Sequence, residues 1–541
     1  MAQNAAPPSA PLDTLPRPAL PNQPGGDVQV EVQRPAPPAE ALLQWKLTPR
    51  KFDVAGVQSI PFDEVAALFT PLVGQNVSVK DIVERGQRAT ALYRERGYAL
   101  SFFFVPQQDF KDGVVRVVAV EGHVRTVRIE GTTGAAETLL RDMVEPLRHE
   151  RPLRTATFEH VIALLGRLPG MGIQAQVQPP TSTDGASTMV IQAHRKPYDI
   201  AVGMELRKPT PRAVVTGTVN DPFLPGNQIG ASTLLSSAAH DSFNALTYEQ
   251  FVGRKGWSVK GSVSQYRGDP NEQLGVTSPL ERRTEVDRAE LAATLPLRLS
   301  RTMSTVVSTG IYGVDTRDRL TNPANGAWLT EDTHVRALFV QWAYNEQQAD
   351  DSRQLNLKLT HGLKGLGASA SVTSNVPGIG GPSSVELAFA KLQFEASHSH
   401  RFANQFGTTV SLGMQYSPDS LPSSEKVSYG GSRFARGYSP GAGVGDSGWG
   451  LGLEVNRAFA KDSWWLRQWQ PYLLLEDARV HNRFGTPVPA RLRSFSLGLR
   501  LTNHKQYSLD LAMSRPLGDR TPDNPERHWR ASLALSYRLG D

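Results

Sequence analysis

From Tyr198 to the C-terminus the chain alternates apolar with small or polar residues at a period of two, and no helical period persists. In "YDIAVGMELR" the residues Tyr198, Ile200, Val202, Met204 and Leu206 share one face; Asp199, Ala201, Gly203, Glu205 and Arg207 share the other. "WSVKGSVSQ" sets Trp257, Val259 and Val263 against Ser258, Lys260, Ser262 and Ser264. "SFSLGLRL" (494–501), "YSLDLAMS" (507–514) and the closing "ASLALSYRL" (531–539) repeat the pattern. A soluble sandwich also alternates, but its outer face is usually rich in Lys, Glu and Thr. Here the second face offers Gly, Ser, Ala and isolated charges. That suits strands with lipid on one side and a wet lumen on the other. Backbone groups cannot stay unpaired in lipid, so such a sheet must close on itself.

Length then sets the strand number. Residues 198–541 are 344 positions. Membrane strands need ~9–11 residues each, so ~20–22 per strand with its connection gives ~16 antiparallel strands, an even number. Long polar connections at 267–288, 312–334 and 374–384 are expected on the outer side. A mean hydropathy of −0.34 excludes a helical membrane protein, and no apolar run approaches the ~20 residues of a spanning helix. Cysteine is absent, which suits an oxidising compartment and removes thiolate chemistry. The net charge of +6 is modest and there is no dense Lys/Arg tract, so no nucleic-acid partner is expected.

The first third has a different texture. Prolines recur from Pro7 to Pro38, so residues 1–45 read as an extended lead segment, with "DVQVEVQ" (27–33) favouring a strand over a helix. No basic stretch followed by an apolar core is visible at the start; "AQNAAPPS" reads like a mature N-terminus. From Lys51 a strand (51–57) is followed by a helix between Pro61 and Gly74. A second helix opens on Ser78 and Asp81 at capping-box spacing and stops at Gly97. Strands at 98–105 and 113–122 complete the unit. The same order recurs: strand 124–131, helices 136–147 and 155–168, strands 173–180 and 187–195. With "LYRERGY", "VPQQDFKDGVVRVVAVEG" and "RLPGMGIQAQVQPP" in place, these two units resemble polypeptide-transport-associated (POTRA) domains. The expected organisation is a lead segment (1–45), POTRA units at 46–122 and 123–197, and a barrel over 198–541.

Two such units ahead of a closed barrel, with "ARGY" (435–438), "GDSG" (445–448) and Glu454 in "GGSRFARGYSPGAGVGDSGWGLGLE", resemble one family. It is the outer-membrane transporter of two-partner secretion, the TpsB family of haemolysin-activator and filamentous-haemagglutinin transporters. The resemblance covers about residues 50 to 541. It implies α+β periplasmic domains followed by an all-β transmembrane barrel of about 16 antiparallel strands. It also implies a loop around 430–448 folded back into the lumen, its Arg436-Gly437-Tyr438 tip latched to an acidic residue on the inner wall. Gly445, Asp446, Gly448 and Glu454 form the return to the next strand, and Ala435 stands where the family carries Val. The acceptor motif Phe-x-Asp-x-Gly maps onto "PYLLLEDARV" (471–480): Leu474 takes the Phe position, Glu476 the Asp and Ala478 the Gly. Arginine's planar fork can hold a carboxylate bidentately. Glu476 is the expected acceptor and Asp477 the alternative, although alternation turns Asp477 away from the lumen.

By this resemblance the chain sits in the outer membrane of a Gram-negative cell, works as a monomer, and passes an unfolded partner exoprotein (an adhesin, cytolysin or toxin) through the barrel without ATP. Alternatives are a barrel-assembly insertase or a passive porin with periplasmic domains. The proline-rich lead segment argues against the family's helical plug. No catalytic grouping is found, so neither enzyme activity nor a cofactor is expected. His398 and His400 share a strand face without an evident acidic partner, so a surface loop is favoured over a metal site.

Overall fold

The computed structural model describes residues 30–32, 43–98, 100–178, 184–207, 211–237, 241–269, 280–485, 487 and 489–539. Most of the lead segment therefore lies outside the described residues. Among its described residues, Val30–Val32 forms a strand within the "DVQVEVQ" stretch.

The two small units share one topology. In the first, Lys51–Ala55 runs parallel to Val114–Val120, which pairs antiparallel with Phe102–Phe104. In the second, His123–Gly131 runs parallel to Ala186–Arg195, which pairs antiparallel with Met171–Val177. Each sheet is covered by two helices: Phe62–Phe69 and Val79–Glu95, then Glu137–His149 and Thr155–Leu165. The capping box at Ser78 forms as its spacing predicts: the Ser78 hydroxyl accepts from the Asp81 amide, and the Asp81 carboxylate accepts from the Ser78 amide. The expected strand 98–105 is shorter. Tyr98 and Ser101 spend their amides on a helix-end turn, and Leu100 is drawn into the core of the next unit.

In the first unit Val65, Phe69, Ala89, Tyr93 and Phe103 close the core. Its floor is polar. Glu121 accepts hydrogen bonds from the Gln58 and Ser59 amides, the Ser59 hydroxyl and the Tyr93 hydroxyl. Burial alone would raise this carboxyl; the four donors outweigh it and hold Glu121 below the usual carboxylate range. Burial and the Glu121 bond push Tyr93 the other way, far above its ordinary value.

Residues 198–539 form a closed antiparallel barrel of sixteen long strands, in the number expected. Closure comes from Tyr198–Arg207 pairing with Arg530–Leu539, from Ile200 opposite Leu539 to Arg207 opposite Ser532. Alternation sorts the faces. Ile200, Val259, Leu453, Leu473 and Leu497 are exposed on the outside, while Glu476, Ser494, Ser496 and Ser514 are buried inside. Three strands, Glu281–Leu299, Met303–Thr321 and Trp328–Gln347, are about twice as long as a bilayer needs. This corrects two expected loops: 312–334 is strand except for a turn at 322–327, and the strand after 267 resumes at Glu281. These strands continue past the apolar band, where water meets both faces, so their charges resemble loop composition.

The second unit is docked on the barrel. Its core takes in Phe251 and Leu299 from the near-side turns. Leu164 packs so closely over Gly256 that a Cβ there would lie 2.1 Å from it. Arg195 donates to the Asn220 carbonyl at 2.7 Å and lies 3.4 Å from the Asp221 carboxylate. The near end of the barrel thus carries the two units, and the loop around 430–448 enters from the far end.

Candidate functional site: the loop latched inside the barrel

The loop between Phe406–Tyr416 and Ser447–Arg457 does not project away from the barrel. It makes a small hairpin, Val427–Tyr429 against Gly443–Gly445, and most of 427–446 is buried against the inner wall. Glycines on the wall make room for it. Inward-facing Gly413 and Gly450 lie beneath the Phe434 ring; a Cβ on either would come 2.7 Å from a ring carbon. Gly452 lies beside the same ring. This accounts for the "GWGLGLE" strand: its inner face is cut away to seat a phenylalanine.

The turn at the tip uses two left-handed residues in succession, Phe434 at φ 54° and Ala435 at φ 59°. A β-branched residue resists that conformation more than Ala does, so Ala at 435 fits this turn. Gly437 has no space for a side chain: its Cβ would lie 2.6 Å from the Pro516 nitrogen. Tyr438 is buried and donates to the Asp519 carbonyl at 3.0 Å.

Arg436 is held at both ends, in an arrangement that differs from the expected fork on Glu476. Its backbone amide, not its guanidinium, donates to Glu476 Oε2 at 2.8 Å. The same oxygen accepts from the Ser494 hydroxyl at 2.8 Å. The guanidinium reaches along the same strand to the Tyr472 hydroxyl at 2.7 Å and two strands further round to Asp510 Oδ2 at 3.2 Å. Tyr472 in turn donates to Asp510 Oδ1 at 2.6 Å. The reason is reach: the Arg436 backbone itself comes to the wall at Glu476, so the side chain extends beyond it. Asp510 was legible as a lumen-facing charge in "YSLDLAMS", but no motif singled it out. Asp477 points away from the loop and pairs with Arg493 on the outer face.

Other walls complete the clamp. Arg207 of the first strand donates to the Arg436 carbonyl at 2.7 Å. Arg530 of the last strand donates to the Ser439 hydroxyl and to Asp523, each at 2.6 Å. Glu454 takes both arms of Arg500, at 2.7 and 2.6 Å, and Arg500 stacks over Tyr472. At the loop's base, Asp446 accepts from the amides of Leu421 and Arg483. Gly445 and Gly448 each pass within 2.7 Å, measured from an added Cβ, of carbonyls on Gln468–His481. Across the lumen, buried Glu425 accepts from Lys391 Nζ at 2.6 Å and from the Tyr312 hydroxyl at 2.8 Å. A cavity of about 920 Å³ remains beside the loop, lined by Lys358, Glu395, Arg433, Arg436, Glu454 and Arg500 among others.

His398 and His400 lie in the strand Ala390–Arg401, not on a loop. His400 Nδ1 is 3.0 Å from Asp351, the acidic partner the sequence did not reveal. Among the described residues no group of three such ligands is arranged to hold a metal ion.

A closed transmembrane barrel with an arginine-tipped loop fastened in its lumen, preceded by two small α/β units of one topology, defines an outer-membrane protein of the POTRA–barrel class. The ShlB-type POTRA description matches residues 47–122, and "Haemolysin secretion/activation protein ShlB/FhaC/HecB" matches 231–501. The chain belongs to that family, the outer-membrane components of two-partner secretion. Among curated relatives, the outer membrane transporter CdiB of Escherichia coli is 27% identical over 140 residues, 26% of this chain and only 23% of CdiB. The heme/hemopexin transporter protein HuxB of Haemophilus influenzae is 19% identical over 489 residues, 87% of this chain and 83% of HuxB. Among solved structures, Escherichia coli CdiB superposes with TM-score 0.65 at 19% identity, covering 93% of each chain. BamA from Haemophilus ducreyi lacking POTRA domains 1–3 superposes with TM-score 0.57 at 14% identity, over 91% of this chain and all of that one. These likenesses establish the shared fold. The barrel lies in the outer membrane with its POTRA end in the periplasm.

Proposed function

We propose that this chain passes an unfolded partner protein across the outer membrane. The POTRA units receive the partner in the periplasm, and the barrel conducts it once the Arg436 loop leaves the lumen. The observation that carries this reading is the loop itself: a segment packed against the wall by a small apolar cluster and fixed at its tip by charged and polar contacts. Such contacts exchange readily for water or for a passing backbone. A permanently open porin has no use for them.

The POTRA sheets offer a way to hold an extended client. Edge strands bind a further strand through backbone hydrogen bonds and need little sequence specificity. The outer edge of the second unit already takes one: Val30–Val32 runs parallel along Ala175–Val177. A client would use the same geometry. The periplasm supplies no ATP, so direction comes from folding of the partner outside, which makes its return unfavourable. CdiB and HuxB are named as transporters, which agrees with this role.

The test uses the full chain in proteoliposomes and, as candidate client, a large two-partner-type exoprotein from the same cell, added unfolded and without nucleotide. Protease-protected exoprotein should accumulate in the vesicle lumen. Binding to the POTRA units without any protected material would sink the proposal.

A further inference from the structure

On the outer wall, one sector breaks the pattern of the rest. Along Gln468–His481 the outward residues run Leu473, Leu475, Asp477, Arg479 toward the far rim. On Arg491–Thr502 they run Leu497, Phe495, Arg493, Arg491, and on Tyr507–Pro516 they run Leu511, Met513, Arg515. Three adjacent strands therefore pass from apolar to charged residues toward the far rim, each carrying at least one arginine there. Register brings the charges together: Arg479 lies opposite Arg491, Asp477 opposite Arg493, and Phe495 opposite Arg515. Trp449 joins from the neighbouring strand, opposite Arg479, whose guanidinium lies 5.6 Å from its ring.

Four arginines here face one carboxylate. Asp477 is taken by Arg493 at 2.6 Å, with Arg491 at 3.5 Å. Arg479 and Arg515 have no carboxylate partner among the described residues, and the Nε atoms of Arg479 and Arg491 have no acceptor. The far rim on the other side of the barrel is built differently. There Arg317 pairs with Asp332, and Arg336 and His334 both pair with Asp315, so the charges cancel. A like-charge cluster at the edge of a lipid-facing band is costly unless an anion neutralises it. Guanidinium groups favour phosphate through paired donors, and an indole at the same level suits the polar boundary of a bilayer.

We propose that Arg479, Arg491, Arg493 and Arg515, with Trp449, form a binding site for the phosphorylated headgroup of a lipid in the outer leaflet of the outer membrane. The level of the patch, at the end of the barrel away from the POTRA units, selects the outer leaflet. The occupant is a phosphorylated glycolipid of the lipid A type. The site fixes the barrel's depth on the side where the Arg436 loop is anchored from within, since Asp477 and Glu476 are neighbours on one strand.

The experiment uses the full chain in nanodiscs of zwitterionic phospholipid, titrated with lipopolysaccharide and followed by native mass spectrometry. Wild type should retain lipopolysaccharide, and the doubly dephosphorylated form should bind at least about tenfold more weakly. Arg479→Gln/Arg515→Gln, which leaves Asp477 paired, should lose about tenfold or more in lipopolysaccharide affinity. Arg317→Gln/Arg336→Gln, on the compensated side, should lose little. Heat-modifiable migration on gels checks that each barrel is closed. Equal binding of the dephosphorylated lipid, unchanged affinity in the Arg479/Arg515 variant, or equal retention of phosphatidylglycerol would each overturn the assignment.

Discussion

Replacing Arg436 by Ala should open the channel without unfolding the barrel, and the structure sets the size of the effect. The substitution removes two charge-assisted contacts, at 2.7 Å to Tyr472 and 3.2 Å to Asp510. Each such bond contributes about 1.5–3 kcal/mol when well shielded. Arg436 and Asp510 are each about one-fifth exposed to the lumen (20% and 21%), so the lower part of that range applies. Asp510 is not left alone, because Tyr472 still donates to it and Arg500 remains 3.4 Å away. The net loss is about 2–3 kcal/mol, a shift of roughly thirty- to a hundred-and-fiftyfold in the ratio of closed to open loop. Open probability in planar bilayers, converted to a free energy, measures it. The alanine variant keeps its backbone amide on Glu476 and its carbonyl on Arg207. A double-mutant cycle should therefore give a coupling of about 1–2 kcal/mol between Arg436→Ala and Asp510→Asn. Arg436→Ala and Glu476→Gln should be nearly additive. Coupling to Glu476 as large as to Asp510, or an alanine variant that stays as closed as wild type, would show that the guanidinium does not hold the loop through Asp510.

Other substitutions separate seating of the loop from its charge contacts. Gly437→Ala places a methyl 2.6 Å from the Pro516 backbone, so the loop should fail to seat and conductance should rise while heat-modifiable migration stays normal. Gly450→Val should displace the Phe434 ring and have a similar effect, measurable as faster proteolysis of the loop. Ala435→Gly relieves a left-handed alanine and should stabilise the closed loop by up to about 1 kcal/mol, seen as a lower open probability. In the first POTRA unit, Glu121 is held below the usual carboxylate range. Its contribution is fully present above the unfolded-state value near ~4.3 and is lost as pH falls through the lower folded value. The unit should lose stability in that acid window, and Glu121→Gln should flatten the dependence in a thermal-melt series.

The alternation of residues such as Leu497 and Leu499 against Ser496 and Arg500 was enough to foresee a closed barrel and its strand number. Charge misled where strands rise out of the apolar band, at 281–288 and 312–334, because an exposed strand and a loop are both solvated. The loop's descent into the lumen followed from family resemblance at "ARGY" and "GDSG", not from periodicity. What the sequence concealed was pairing across strands far apart in the chain. Asp510 lies 74 residues from Arg436, and nothing local distinguishes it from Asp199, which pairs with Arg538 instead. Likewise Gly413 and Gly450 look like ordinary strand glycines until Phe434 is placed above them.

The chain has no cysteine, so a disulfide introduced at the latch would be unique. A Cβ at Gly450 lies 3.1 Å from that of Phe434, a few tenths of an ångström inside the ~3.5–4.5 Å a disulfide spans, which a small shift of the loop tip relieves. In Phe434→Cys/Gly450→Cys the loop can be fixed or freed by oxidant and reductant, and secretion of the exoprotein can be followed in both states. The oxidised protein should secrete nothing, and reduction should restore export. Undiminished secretion with the bond closed would contradict the requirement that the loop leave the lumen.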